Sequence, residues 1–202
     1  MKLVPLVCRK CNGKLNGKGA LAGVVCPSCG SAYLLGKDGL EPVPAKYTAD
    51  SAPEGADVVY VPFWRETFDF KITSEKSSGI FSPNYAGPHT EPYDMKIPAF
   101  ELRAEALQGM AEDSVSWSQK LTDKPPAGAR FANISLSETD ARKLAQFVAC
   151  SIEVKKSGTM QALSYETAFQ KPELVFLPFR WKDKQLFDLE DRSWTDAVLS
   201  IP

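Results

Sequence analysis

Two apolar runs placed 116 residues apart organise the larger part of this chain. Val58-Val59-Tyr60-Val61-Pro62-Phe63 and Leu174-Val175-Phe176-Leu177-Pro178-Phe179 match position for position: aliphatic, aliphatic, aromatic, aliphatic, proline, phenylalanine. Each is followed by a run of alternating character, Phe68-Asp69-Phe70-Lys71-Ile72 and Leu186-Phe187-Asp188-Leu189. Short uninterrupted apolar runs read as strands buried on both faces. Proline gives no N–H to a ladder, so each strand is expected to end, bulge or reach an edge there, with the second run returning as its partner. The simplest account is an internal duplication, with half-repeats around 58–72 and 174–189 whose strands meet in one sheet. Chance likeness between two hydrophobic strands is the alternative.

Two helices are expected between the runs. Residues 101–112 carry good helix formers (Leu102, Ala104, Ala106, Leu107, Met110), with Pro98 just upstream and Gly109 weakening the last turn. The second helix opens on Ser137-Glu138-Thr139-Asp140, which has the form of a capping box. Its apolar stripe is Ala141, Leu144, Ala145, Phe147, Val148 and Ile152. Residues 73–97 and 113–130, rich in Gly, Pro, Ser and Asn or holding Pro125-Pro126-Ala127-Gly128, read as long exposed loops. Residues 46–57 have no apolar period and read as a linker. The 145 residues that follow are enough to bury a core of their own. The expected fold is therefore α+β: a small head over 1–45, a linker over 46–57, and a mixed α+β domain over 58–202.

Cysteines define the head. Cys8-Arg9-Lys10-Cys11 and Cys26-Pro27-Ser28-Cys29 are two C-x2-C pairs separated by fourteen residues. Sulfurs three residues apart reach one ion when the chain turns tightly between them, and two such turns supply the four thiolates of a closed tetrahedral site. Asn12-Gly13 after the first pair suits the positive φ that its turn needs. Asn16-Gly17-Lys18-Gly19 reads as a hairpin tip, and Ala32-Tyr33-Leu34-Leu35 as a strand turned by Gly36-Lys37-Asp38-Gly39. With the Cys-Pro-x-Cys-Gly form in the second pair, residues 1–45 resemble the zinc-ribbon family. That resemblance implies a structural Zn2+ on Cys8, Cys11, Cys26 and Cys29. Iron in a rubredoxin-like site takes the same ligands and would imply electron transfer, but the pairs lie closer together than in typical rubredoxins and that family's core aromatics are missing. The echoing runs, Ile97-Pro98-Ala99-Phe100 and the late Leu-Phe-Asp run are loosely similar to uncharacterised bacterial zinc-ribbon proteins, a likeness that implies no activity.

Composition narrows the class without naming a role. With 44% hydrophobic and 24% charged residues the chain is expected to be globular rather than disordered. Its longest early apolar run, Leu3–Val7, is too short for a membrane span or a signal-peptide core, and five cysteines with one left over suit a reducing compartment, so a cytoplasmic protein is expected. Net charge is −1, divided unevenly: +4 over residues 1–50 and −5 beyond. Arg9, Lys10, Lys14 and Lys18 could meet the phosphates of a nucleic acid; equally, they offset the −2 of an ion held by four thiolates.

The remaining candidates are weaker. Gly13–Gly19 is one residue short of a P-loop and has Gly19 where the magnesium-binding hydroxyl belongs. The single histidine, His89, stands near Glu91 and Asp94 without a paired nucleophile, and Cys150 flanks a helix stripe as a small hydrophobe. Trp64, Trp181 and Trp194, with Arg65 and Arg180, adjoin the echoing strands and are expected in the core rather than on a binding surface. No catalytic residues emerge. The role expected is that of a non-enzymatic, zinc-binding interaction or assembly subunit. A nucleic-acid-associated zinc-ribbon factor is the alternative, followed by an accessory subunit of an enzyme with a pocket between the two halves, or an iron electron carrier.

Overall fold

A computed structural model describes residues 6–17, 21–49, 57–78, 87–156, 159–182, 185–188, 192–194, 197 and 199. In chain order the elements are β1 (Gly23–Val25), β2 (Ala32–Gly36), β3 (Gly39–Val43), β4 (Ala45–Thr48), β5 (Val58–Ser78), β6 (His89–Pro98), α1 (Ala104–Ser114) and β7 (Leu121–Thr122). They continue with β8 (Arg130–Phe131), α2 (Glu138–Lys156), β9 (Thr159–Phe169), β10 (Glu173–Lys182), β11 (Gln185–Phe187) and β12 (Ser193–Trp194). The fold is α+β. Strands β1–β3 form a small antiparallel sheet, and the other nine form one mixed sheet around β5 and β10.

The two echoing runs lie side by side. β5 and β10 pair antiparallel so that Val61 faces Leu177, its counterpart in the other run, while Pro62 faces Phe176 and Pro178 faces Tyr60. A local two-fold axis therefore passes between Val61 and Leu177, and it extends outward. β8 runs parallel to β5 at Val59 and Tyr60, as β4 runs parallel to β10 at Leu174–Phe176. Beyond the prolines, β6 lies antiparallel to β5 and β11 antiparallel to β10. Tyr47, Phe131 and Phe176 close the centre, with Tyr47 stacked on Phe176 at 5.5 Å and Phe131 edge-on to both.

Neither proline ends its strand, contrary to expectation. β5 continues to Ser78 and β10 to Lys182. Ala132 N–H donates to the Tyr60 carbonyl and Ala99 N–H to the Pro62 carbonyl, both at 2.9 Å. In an antiparallel pair a residue's N–H and C=O point to the same side. Pro62 thus aims its missing N–H away from β10, at the place where β8 gives way to β6. Pro178 occupies the corresponding place between β4 and β11. Consequently Phe68–Ile72 is the continuation of β5 and not a returning strand, whereas Leu186-Phe187 does return, as β11. Leu189 lies outside the described residues.

Three other expectations change. Residues 73–97 are largely strand: β5 runs on through Ser78 and β6 fills 89–98, because Tyr93, Met95 and Ile97 alternate inward beneath α2. In 113–130, α1 reaches Ser114 and short strands β7 and β8 appear. Residues 45–48 of the expected head and linker form β4 in the main sheet, where Tyr47 is buried, its hydroxyl donating to the Gly30 carbonyl at 2.7 Å; residues 50–56 are not among those described. The second helix begins as expected. Ser137 Oγ accepts the Asp140 N–H at 3.2 Å, and Ala141, Ala145 and Val148 are buried, but Phe147 points outward at 57% exposure.

Main-chain and side-chain bonds join the small sheet to the large one. Ala22 and Gly23 N–H groups donate to the Ile134 carbonyl at 2.8 and 2.9 Å, and Ile134 N–H returns a bond to Gly23 at 3.1 Å. Asn133 accepts the Val25 N–H through Oδ1 and donates to the Asn16 carbonyl through Nδ2, both at 2.9 Å.

Candidate metal centre

The two cysteine pairs adopt the same turn. Asn12 N–H donates to the Cys8 carbonyl and Cys8 N–H to the Gly13 carbonyl, at 2.9 and 2.8 Å. Eighteen residues later Gly30 N–H donates to the Cys26 carbonyl and Cys26 N–H to the Ser31 carbonyl, both at 2.9 Å. Asn12 at φ 58° and Gly30 at φ 70° take the left-handed step that each turn requires. Gly30 has a second reason to lack a side chain: a Cβ there would lie 2.6 Å from Pro125.

These turns bring four sulfurs together. The Sγ atoms of Cys8, Cys11, Cys26 and Cys29 all lie within 4.8 Å of one another, with Cys8–Cys29 at 3.6 Å and Cys11–Cys26 at 3.5 Å. An ion held tetrahedrally at about 2.3 Å places its sulfurs about 3.8 Å apart, so the donor set fits a metal ion with little adjustment. Cys8 and Cys26 are fully buried, and Cys11 is exposed.

The surroundings act on the two buried sulfurs in opposite directions. Tyr33 Oη accepts the Arg9 N–H at 3.0 Å and donates to Cys8 Sγ at 3.2 Å, and Ser31 Oγ lies 3.3 Å from Cys29 Sγ. At Cys8 burial pushes the thiol upward, but the Tyr33 hydroxyl and the backbone of Cys11 and Lys10 together bring it down to about 6. Cys26 goes the other way, pushed up to about 12 chiefly by burial. Burial thus opposes a thiolate at Cys26, a cost that a bound cation would offset.

The other predicted residues do not join this site. Arg9, Lys10 and Lys14 are exposed, Arg9 and Lys10 beside a groove of about 610 Å³ between the head and the large sheet, while Lys18 lies outside the described residues. His89 opens β6, with Nδ1 3.1 Å from the Gly87 carbonyl and Nε2 3.9 Å from Glu91. Asp94 is engaged elsewhere, holding Arg65 through two bonds of 2.7 and 2.8 Å. Trp64 and Trp194 are buried and Trp181 partly so; Arg180 lies over the Phe187 ring. Cys150 is partly buried against the core.

Several chemically loaded residues gave no sequence signal. Glu66 is fully buried with neither oxygen hydrogen-bonded, and burial pushes its carboxyl up to about 7 against the partial pull of Arg142. Lys96 is buried, its Nζ donating to the Ser114 and Trp117 carbonyls, and desolvation lowers its pKa. Glu66 falls in the inward alternation of β5 with Trp64 and Phe68, which marks the face but not its polar occupant. Lys96 lies on the other face of β6 from Tyr93, Met95 and Ile97 and is buried by the end of α1 and the turn after it. Comparison with protein-family models, curated proteins and solved structures finds no match. Among the described residues no helix is long and apolar enough to cross a membrane.

Proposed function

We propose that this chain is a non-catalytic, zinc-binding interaction subunit. Its first 45 residues act as a zinc ribbon, a rigid head presented to a protein partner. One observation carries the reading: four cysteine sulfurs converge from two matching turns, with Tyr33 and Ser31 beside them. Cys8, Cys11, Cys26 and Cys29 would hold the ion, and its chemistry is then structural, because four thiolates fill a tetrahedral sphere and leave no position for substrate or water.

Elemental analysis tests the metal, with one zinc per chain expected and none after Cys26→Ser. Iron with the visible absorption of a ferric tetrathiolate would instead support the electron-carrier reading. Affinity capture from native cells at about 0.5 M salt tests the role, since protein contacts survive that screening better than phosphate contacts do. A partner retained by the intact chain and lost with Cys26→Ser supports the reading.

The exposed Arg9, Lys10 and Lys14 favour a second reading, that of a nucleic-acid-associated factor. The aromatic rings beside them, Tyr33 and Tyr47, are buried and offer no face for base stacking. Anisotropy of a labelled 20-nucleotide strand between about 50 and 200 mM salt decides it: steeply salt-dependent binding, lost on Arg9→Glu with Lys10→Glu, would replace the first reading.

A further inference from the structure

A cavity of about 450 Å³ opens beside β10, where its outer neighbour changes from β4 to β11. Leu177, Pro178 and Phe179 line one side, and the turn 116–119 lines another. Asp188 and Arg192 stand at the third, joined by a 2.7 Å ion pair, so that side brings no net charge. The volume lies in the range of small-molecule sites.

The turn 116–119 carries the chemistry. Trp117 is fixed from three directions, edge-on to Phe63 at 5.9 Å and to Trp194 at 6.2 Å and tilted against Phe179 at 6.3 Å. The buried Lys96 ammonium holds its backbone, donating to the Trp117 carbonyl at 3.0 Å. Yet Trp117 Nε1 and Gln119 Oε1 are buried without a hydrogen-bond partner. The other such atoms among the described residues belong to Glu66 and Arg142, which face each other at 3.7 Å. A buried polar atom left unpaired costs about 1–3 kcal/mol. Here a donor and an acceptor bear that cost on two residues, two apart in the chain, that both line one cavity.

We propose that this cavity binds a small, neutral, planar molecule with an amide edge, of the kind found in nucleobases and carboxamides. Its carbonyl accepts from Trp117 Nε1–H, its N–H donates to Gln119 Oε1, and its flat face lies against Leu177 and Phe179. Both atoms are closed off from solvent, so binding satisfies them only as the Trp117 indole and the Gln119 amide turn toward the cavity, with the Trp117 ring shifting against Phe63, Phe179 and Trp194. A charged ligand gains nothing from the Asp188–Arg192 pair, which is already neutralised. The site is remote from the sulfur cluster and independent of what the head does.

The indole N–H resonances of the 15N-labelled, metal-loaded full chain test this, with the Trp117 signal assigned by Trp117→Phe. Uracil and nicotinamide are the probes, and benzoate, planar but anionic and without a donor, is the control. The expected result is a saturable shift of the Trp117 signal with at least one amide probe in the millimolar range. Gln119→Leu should weaken it about tenfold or more, while Gln119→Glu, which keeps an acceptor oxygen, should hold it within about threefold. The remaining indole signals report the fold of each variant; should they move in Gln119→Leu, Gln119→Ala supplies the same comparison. No Trp117 shift at about 20 mM of either probe, an equal shift with benzoate, or affinity untouched by loss of the Gln119 oxygen would overturn the proposal.

Discussion

The head and the large sheet are built on opposite economies. In the head, the buried cluster consists of Cys8, Leu15, Val24, Cys26, Tyr33 and Leu40, so two of its six members are sulfur ligands and a third, Tyr33, spends its hydroxyl on one of them. In the large sheet, Trp64, Phe68, Phe70, Tyr93, Phe131 and Phe176 pack in one continuous cluster with the inward face of α2. The head is too small to bury enough apolar surface for itself, and the proposed ion would supply what packing does not. The large sheet needs no ion and can instead hold a buried carboxyl and a buried ammonium. The difference lies in where stability comes from, and whether the two regions break separately, given that Val25 and Ala32 of the small sheet pack into the large core, is open to test.

Removing the ion gives the largest effect. A structural zinc site contributes about 10–16 kcal/mol to a small module, far more than the head's few apolar contacts. Cys26→Ser, or prolonged chelation, should accelerate amide exchange over residues 23–43 by about a hundredfold or more. The large sheet loses the bonds along the Gly23–Ile134 and Val25–Asn133 seam, the Tyr47–Gly30 bond, and part of the packing of Val25 and Ala32 against its core. Its melting midpoint should fall by about 4–8 °C, corresponding to about 2 kcal/mol in a chain of this size. A single shared collapse, with β5 and β10 exchanging as fast as the head, would show that the two regions are one folding unit.

A pH dependence belonging to the large sheet alone comes next. Glu66 has its carboxyl raised from 4.5 to about 7, first by burial. A raised acid binds its proton more tightly folded than unfolded, so the folded state is favoured below about pH 4.5 and loses that advantage as pH rises to about 7. The accumulated cost above pH 7 is about 3 kcal/mol. Urea titrations of wild type and Glu66→Gln should coincide near pH 4.5 and separate with rising pH, the variant being more stable by about that amount at pH 8. Parallel curves would mean that the Arg142 guanidinium, 3.7 Å away, keeps Glu66 charged throughout.

What could be read from the amino-acid order follows the range of the interactions concerned. The cysteine pairs were legible because a turn of four residues fixes both sulfurs locally. The β5–β10 partnership was legible because each strand is buried on both faces and so apolar without interruption. Pro62 misled because the side to which a missing N–H points depends on neighbours at Ala99 and Ala132, far along the chain. Strand β4 offered no pattern: its four residues are given their place by β10, which supplies the partner of Tyr47 at Phe176. Strand β6 hid because its inward face opens on the polar His89 and Glu91 before Tyr93, Met95 and Ile97, and its outer face carries Thr90, Pro92 and Asp94. Phe147 was placed on the apolar stripe of α2 by composition, but it lies roughly opposite Ala145 and Ala149 in helical angle and faces solvent. The orphaned atoms of Trp117 and Gln119 were beyond reach, since the turn that holds them is positioned by Lys96 on another strand.

The smallest expected effect sharpens the contrast at the seam. Asn133 joins the two regions by accepting Val25 N–H and donating to the Asn16 carbonyl, and it is 1% exposed. Asn133→Ala leaves the buried Val25 N–H without its acceptor, at a cost of about 1–3 kcal/mol. Asn133→Asp keeps the acceptor oxygen but can no longer donate to Asn16, and it places a charge near the sulfur cluster. Asn133→Ala should lower the midpoint of the large sheet by about 3–6 °C while leaving zinc affinity within about threefold of wild type, because the cysteine turns keep their own bonds. A loss of metal affinity as large as the loss of stability would mean that the head's turns are held in place by the sheet, and the separation argued from their cores would give way to a single cooperative structure.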